Sequence, residues 1–383
     1  MHRILYIQYT NPGGYPPLEH SSRILADCDW QVLFLGTGAL GAGDLRLRPH
    51  RNTKVRQLRF CKAGWRQKLH YAAFSSWVIF WTLAWRPHWI YASDPFSCPV
   101  ALLLSFFPGI RVIYHEHDSP IQTQTTGLLI EFMLWARNKL SRRARCCVLP
   151  NQMRASRFAL QTGAKDVLCV WNCPAREEIA EPRIPLNGKE LWILYHGSIV
   201  PSRLPLTILE GLARVSESIS LRVIGYETLG HPGYIKQFKD RAQHLGIARR
   251  IDIVQAVPRS ELLKWCERSD LGLMLIPVSR NGHFDINIQA MIGASNKAFD
   301  YLACGLPLIV SNLPDWRELY VKPGYARECN PEDPDSIAAA LQWFWEHPSE
   351  LRKMGERGRQ RISREWNYEK QFQPVSRLFG ISQ

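Results

Sequence analysis

The stretch Ser295-Asn-Lys-Ala-Phe-Asp-Tyr-Leu-Ala-Cys-Gly-Leu-Pro-Leu-Ile-Val-Ser311 combines a helix start, an apolar helical stripe and one carboxylate. Phe299, Leu302 and Ala303 fall at i, i+3 and i+4, so one face packs inward. Gly305 suits the left-handed position after a helix end, and Pro307 prevents continuation. Ser295 or Asn296 then sits at the N-terminus, where unpaired N–H groups and the helix dipole favour an anion. Asp300 lies about one and a half turns further in. A carboxylate there could accept hydrogen bonds from a ribose 2′,3′-diol; a capped core helix with a solvated aspartate explains the same spacing.

A second stretch, Leu194-Tyr-His-Gly-Ser-Ile-Val-Pro-Ser-Arg203, reads as a strand turning through glycine toward a helix. Gly197 lets backbone approach a phosphate closely, and Arg203, six residues later, could neutralise it. An arginine in such a loop is also commonly just solvated. Near the N-terminus, Gly13 and Gly14 follow the first strand and either bring N–H groups to a phosphate or form a plain turn. In Ile113-Tyr-His-Glu-His-Asp118, the two-residue period puts His115 and His117 on one face and Glu116 on the other. A metal site there lacks a third ligand nearby, and a satisfied structural histidine fits the pattern equally.

SNKAFDYLACGLPLIVSN resembles the P-x-K-x-x-E-Y-x-A-x-G-x-P-V-I element of glycosyltransferase family 4. In that family the helix start holds the donor diphosphate and the acidic residue binds the ribose, which implies those roles for Ser295, Asn296 and Asp300. Asp300 is one methylene shorter than the usual Glu. Gly197 and Arg203 fall in register with the family's G-R-x-x-x-x-K/R-G pattern. Ser198 replaces the first Arg of that pattern, so a phosphate cation is missing unless Lys297 supplies it. Many members place a sugar-binding Glu eight residues before the ribose one; here that position is Ile292, and Asn287 could provide part of the recognition instead. Gly13 and Gly14 resemble the family's glycine loop, which faces donor and acceptor. Tyr114-His-Glu-His-Asp-Ser-Pro120 is similar to the family's Y-D-x-H-E-x-x-P, implying an active-site histidine at His117 and an acid at Asp118. Arg86-Pro-His-Trp-Ile-Tyr-Ala-Ser-Asp94, Cys169-Val-Trp-Asn-Cys-Pro174 and Arg364-Glu-Trp366 extend the resemblance over nearly the whole chain.

The elements that must carry these residues form two series. Short apolar runs alternate with helical segments, the signature of parallel sheets flanked by helices. The first series has strands at Arg3–Tyr9, Trp30–Leu35, Trp89–Ala92, Arg111–His115, Arg145–Leu149 and Val167–Trp171. The second has Leu191–His196, Ser220–Gly225, Ile251–Gln255, Leu271–Ile276 and Pro307–Ser311, followed by helices at Asp335–His347 and Ser349–Glu365. The fold expected is α/β of the GT-B type, two Rossmann-like doubly wound domains facing across a cleft. Its parts are an N-terminal domain over residues 1–174, a Pro- and Gly-bearing linker over 175–190 and a donor domain over 191–365, with 366–383 packing back on the first.

Ten scattered cysteines without a CxxC pair read as reduced thiols of a cytosolic protein, and the N-terminus lacks the features of a signal peptide. Residues 1–175 carry a net +12 of the chain's +14. Between Leu45 and Ser93 there are ten basic residues and no acidic one. Lys62, Arg66 and Lys68, with Trp65, are therefore expected to form an acceptor or anionic-membrane surface. The uncharged segment Tyr71–Trp85 is too short to span a bilayer, and its all-round apolarity predicts burial for most of that helix.

The resemblance implies a retaining, metal-independent glycosyltransferase that needs no cofactor. Its expected partners are a nucleotide-diphosphate sugar and a glycan or lipid-linked acceptor, in cell-surface polysaccharide or glycolipid assembly at the inner face of the cell membrane. His117 would orient the donor sugar. The alternatives are a nucleotide-sugar 2-epimerase of the same fold and a binding module; no nucleic-acid motif appears, so no nucleic-acid partner is expected.

Overall fold

The computed structural model describes residues 2–40, 43–120, 127–182, 190–228, 230–278, 287 and 290–381. Part of the expected linker, residues 183–189, lies outside the described residues, as do the last two residues of the tail. The chain divides into two compact units. One comprises Met1–Asn172, Asp285–Ala294 and Tyr368–Gln383; the other comprises Cys173–Phe284 and Ser295–Asn367.

The first stretch runs β1 (Arg3–Gln8), α1 (Pro16–Asp27), β2 (Gln31–Thr37), β3 (Thr53–Leu58), α2 (Trp65–Trp85), β4 (Trp89–Ser93), α3 (Cys98–Leu104), β5 (Arg111–His115), α4 (Leu128–Arg143), β6 (Cys146–Leu149), α5 (Gln152–Thr162) and β7 (Val167–Cys169). Then follow β8 (Leu191–Ile199), α6 (Thr207–Leu212), β9 (Ile219–Glu227), α7 (Tyr234–His244), β10 (Ile251–Gln255), α8 (Arg259–Glu267), β11 (Leu271–Met274), α9 (Asn296–Ala303), β12 (Leu308–Ser311) and β13 (Ala326–Cys329). The chain closes with α10 (Pro334–Glu346), α11 (Pro348–Arg364) and α12 (Tyr368–Ser376).

Each unit holds one parallel sheet. Their orders are β3-β2-β1-β4-β5-β6-β7 and β10-β9-β8-β11-β12-β13. Both reverse direction beside their first strand, so the tips of β1 and β4, and of β8 and β11, border the crevice where doubly wound sheets bind ligands. Alternation along β1 explains the layering: Leu5 and Ile7 join the core under α2–α5, while Ile4 and Tyr6 face α1 and α12. Tyr368, Phe372 and Val375 of α12 are fully buried in that second layer.

The eleven strands expected from sequence are present with their ends moved by a few residues; β3 and β13 were not expected. β3 is an edge strand reading Thr-Lys-Val-Arg-Gln-Leu, wet along its length, so it lacks the apolar run that marks a strand. α2 departs further from expectation. Only Tyr71, Phe74, Val78 and Thr82 are buried, and the rest of its 21 residues are exposed or half-buried despite their apolarity.

Candidate functional site

In the second unit, α9 begins at Ser295, an extended N-cap whose side chain makes no capping hydrogen bond. Its first-turn N–H groups point from a buried helix start, since Lys297 through Ala303 are all buried. The helix ends in a Schellman turn: Gly305 has φ +68°, and the Leu306 N–H donates to the Tyr301 carbonyl at 2.9 Å. The Tyr301 hydroxyl accepts from the His196 N–H at 3.0 Å, which ties the tip of β8 to α9.

That tie brings three expected residues together. Gly197 sits at φ +110°, a conformation that suits glycine, and a Cβ built there would lie 3.1 Å from the Lys297 Nζ. Arg203 donates to the Ser198 Oγ at 3.0 Å in the same turn. Burial, and then the Arg203 charge, lower the Lys297 ammonium to a pKa of about 7, with Asp300 opposing the shift. Lys297 Nζ thus lies beside the turn that carries Ser198 and Arg203. Two cations converge on one turn at one helix start, an arrangement built for an anion.

Asp300 is placed differently from the expectation. Its carboxylate is 1% exposed and accepts from Arg259 at 2.8 and 3.3 Å, while His196 Nε2 lies 3.5 Å away. Arg259 is shared with the buried Glu178 at 2.7 and 2.8 Å. Asp300, for which the resemblance implied a ribose-binding role, is here a buried counter-ion of Arg259. His196, kept neutral by burial and by Lys297, completes the cluster. Arg259, 41 residues from Asp300, carried no signal in the sequence, because nothing local marks so distant a partner.

In the first unit, His117 follows the tip of β5. Its ring is buried, and neither ring nitrogen has a hydrogen-bond partner among the described residues. Burial lowers its pKa to about 3, so it is neutral near pH 7. The His115 and Tyr15 rings lie tilted against it, with centroids at 3.9 and 5.0 Å. The main chain of His117 is held from two sides: its N–H donates to Asp94 Oδ1 at 2.9 Å, and its carbonyl accepts from the buried Arg154 at 3.0 Å. Asp94 also accepts from Gln8 at 3.2 Å. It takes φ +61° and ψ 165°, a strained backbone for a residue with a side chain. Burial first, and the Asp118 charge second, raise the Asp94 carboxyl to about 7, against the lowering effect of the His117 N–H.

Three expectations change here. Asp118, expected as an acid of the site, has a side chain that is 73% exposed and 3.8 Å from Arg154, and it is the half-buried Asp94 whose carboxylate holds the His117 main chain. Gly13 and Gly14 do not aim free N–H groups at a ligand, because the first donates to the Asn11 Oδ1 at 3.0 Å and the second to the Asn11 carbonyl at 3.2 Å. Gly13 is needed for space: a Cβ would meet the Leu45 carbonyl at 2.7 Å. The Asn287 amide is bonded both ways to the Ser119 backbone at 2.9 Å, which occupies it structurally. Ile292 contributes its carbonyl, accepting from Asn151 at 2.7 Å. Lys62, Arg66 and Lys68 are exposed around the start of α2. Among the described residues no group of three or more His, Cys, Asp or Glu is arranged to hold a metal, and no helix is long and apolar enough to cross a membrane.

Comparisons with known proteins agree with this geometry. Residues 18–171 match the family model for a glycosyl transferase 4-like domain, and residues 206–376 that for a glycosyl transferase-like domain. No curated protein matches the chain by sequence. Among solved structures the chain is similar to the HepE protein of Anabaena, crystallised with UDP and glucose: 16% identity, TM-score 0.73, 99% of this chain and 100% of that one covered. It is similar to a sucrose-phosphate synthase from Thermosynechococcus elongatus at 15% identity and TM-score 0.71, covering 99% and 98%. WaaG, a glycosyltransferase involved in lipopolysaccharide biosynthesis, is similar at 11% identity and TM-score 0.69, covering 99% and 100%. Such low identities establish the GT-B fold alone, whereas the two family models favour glycosyl transfer over the epimerase and binding-module readings. With one model on each half and the GT-B fold throughout, the chain belongs to the group 1 glycosyltransferases.

Proposed function

We propose that this glycosyltransferase moves a sugar from a nucleotide-diphosphate donor to a glycan or lipid-linked acceptor with retention at the anomeric carbon. The observation that carries the donor assignment is the convergence of Lys297 and Arg203 on the Gly197 turn beside the start of α9. As the bond to the sugar breaks, negative charge grows on the departing diphosphate. Two fixed cations and helix N–H groups aimed at that charge stabilise the transition state more than the ground state. The charge is met without a metal, so activity is expected to survive chelation. The complex of HepE with UDP and glucose supports a uridine nucleotide as the first donor to test.

His117 supports the sugar end of the reading. A neutral imidazole whose two buried nitrogens have no partner among the described residues can accept from or donate to a sugar hydroxyl, and it can lie against positive charge developing at the reacting carbon. Retention follows from the family resemblance, with the acceptor attacking on the face that the diphosphate leaves. It is read directly by NMR as the anomeric configuration of the first-formed product, and an inverted product would overturn it. For the donor site, Arg203→Ala is expected to lower turnover at saturating donor by roughly 100-fold, the size of losing one donor aimed at developing charge. Unchanged turnover would remove Arg203 from the site.

A further inference from the structure

The outer face of α2 is built backwards for a surface helix. Buried Tyr71, Phe74, Val78 and Thr82 recur at helical spacing and pack on the sheet. The opposite stripe should be polar, yet it presents Trp65, Leu69, Phe80 and Leu83 at 54–67% exposure. After Lys68 the helix has no Lys, Arg, Asp or Glu as far as Trp85.

The neighbouring helices repeat the pattern. α3 packs against both α2 and α4 in the same layer. It exposes Leu103, and Phe106 lies just beyond its end at 62% exposure. α4 exposes Phe132 and Trp135, whose rings stack at 5.8 Å. Single exposed apolar side chains are ordinary, but a run of them across three adjacent helices is a patch that something covers.

Charge says what covers it. Lys62, Arg66 and Lys68 flank the start of α2, and Lys139, Arg142 and Arg143 crowd the end of α4; Glu131 is the one exposed acid on these three helices. Arg143 lies over the Phe106 ring at 4.1 Å, so the cations border the apolar surface itself. An apolar centre rich in aromatic residues, with a basic rim, matches the boundary between acyl chains and anionic headgroups.

We infer that the outer face of α2, α3 and α4 docks on an anionic bilayer and inserts its apolar side chains shallowly, lying in the surface without crossing it. This goes beyond the transfer reaction and beyond attraction to a basic stretch. A purely electrostatic surface lets go at high salt, whereas an inserted one holds.

The test is flotation of the full chain with vesicles of phosphatidylcholine alone or with about a third phosphatidylglycerol, in 0.05 and about 0.5 M salt, where the Debye length falls to a few ångströms. Binding to the anionic vesicles is expected, with at least half kept at high salt. Brominated acyl chains should quench tryptophan fluorescence of the unmodified protein, which needs no variant to fold. The triple change Phe80→Ser, Leu83→Ser and Phe106→Ser should lower the salt-resistant fraction at least tenfold with UDP affinity unchanged. Lys62→Glu, Arg66→Glu and Lys68→Glu together should abolish the preference for anionic vesicles. No flotation at low salt, binding lost entirely at high salt, or a dimer in solution that the serine variant dissolves would each overturn the inference, the last by assigning the face to a second copy. None of these outcomes bears on sugar transfer, which is assayed separately with a soluble acceptor.

Discussion

Lys297 is a cation held where its charge is least comfortable: buried, close to Arg203, and with its nearest carboxylate, Asp300, already committed to Arg259. A pKa of about 7 means that roughly half the molecules lack this charge near neutrality. A diphosphate placed between the two cations favours the charged form and raises that pKa. The sign follows. Below pH 7 Lys297 is charged before and after binding, and affinity is flat; above pH 7 binding takes up a proton, and affinity declines toward the raised value. Calorimetry with a UDP-sugar, whose diphosphate does not titrate near neutrality, is expected to show proton uptake at pH 8 and a decline of up to about tenfold per pH unit. Lys297→Arg should bind without either effect, because guanidinium stays charged throughout. Affinity that ignores pH in the unmodified protein would remove Lys297 from the anion site. Gly197, Arg203 and Lys297 were marked in the sequence by their register with the family's motifs, which is a local signal. The same motif marked Asp300 but not its partner Arg259, which arrives from another element.

At the scale of elements, the first unit turns strand ends into one rigid support. Asp94, at the tip of β4, accepts from Gln8 at the tip of β1 and from the His117 N–H after β5, and its own N–H donates to the His115 carbonyl at 2.9 Å. A positive φ at a residue with a side chain costs on the order of 1–3 kcal/mol, so these bonds must outweigh the strain that brings the carboxylate inward. Asp94→Ala removes both acceptors and lets the His117 segment drift. A shift of about 1 Å at a reacting group is worth up to about 100-fold in rate, so turnover should drop by 10- to 100-fold. UDP affinity, which the proposed donor site assigns to the second unit, should stay as it was. Asp94→Asn keeps an oxygen for the His117 N–H and should recover most of the loss; equal damage from both variants would mean the charge matters and the tether does not. Sequence showed the strands whose apolar runs face a core on both sides. It hid β3, whose Lys54 and Arg56 are solvated at a sheet edge, and it misplaced α2, because apolarity on every side of a helix reads as burial unless a second apolar environment is admitted.

At the scale of the molecule, the first unit is not a prefix of the chain. Its core takes Tyr368, Phe372 and Val375 from the C-terminal helix α12, all fully buried beside Leu18 and Trp30. Its polar interior depends on Asn287, Ala290 and Ala294 as well: Arg154, 2% exposed, donates to the carbonyls of Asn287 at 2.9 Å and Ala290 at 3.1 Å, and Asn172 donates to the Ala294 carbonyl at 2.8 Å. A fragment of residues 1–174 keeps every strand of the sheet and loses both of these supports. Re-exposing the underside of α1 forfeits burial of three large side chains at about 1.5–3 kcal/mol each. Removing the partners of buried Arg154 and Asn172 adds about 1–3 kcal/mol for each unsatisfied group. The total rivals the 5–15 kcal/mol that holds a typical domain together. The fragment is therefore expected to lack a cooperative thermal transition and to bind the dye ANS, whereas the same fragment carrying residues 366–383 on a flexible linker should regain part of both native signals. The second unit keeps its own core around β8, β9 and α10 and is expected, as residues 173–367, to retain binding of a UDP-sugar. A 1–174 fragment that melts cooperatively within a few degrees of the full chain would show that α12, Asn287, Ala290 and Ala294 rest on a finished domain instead of completing it.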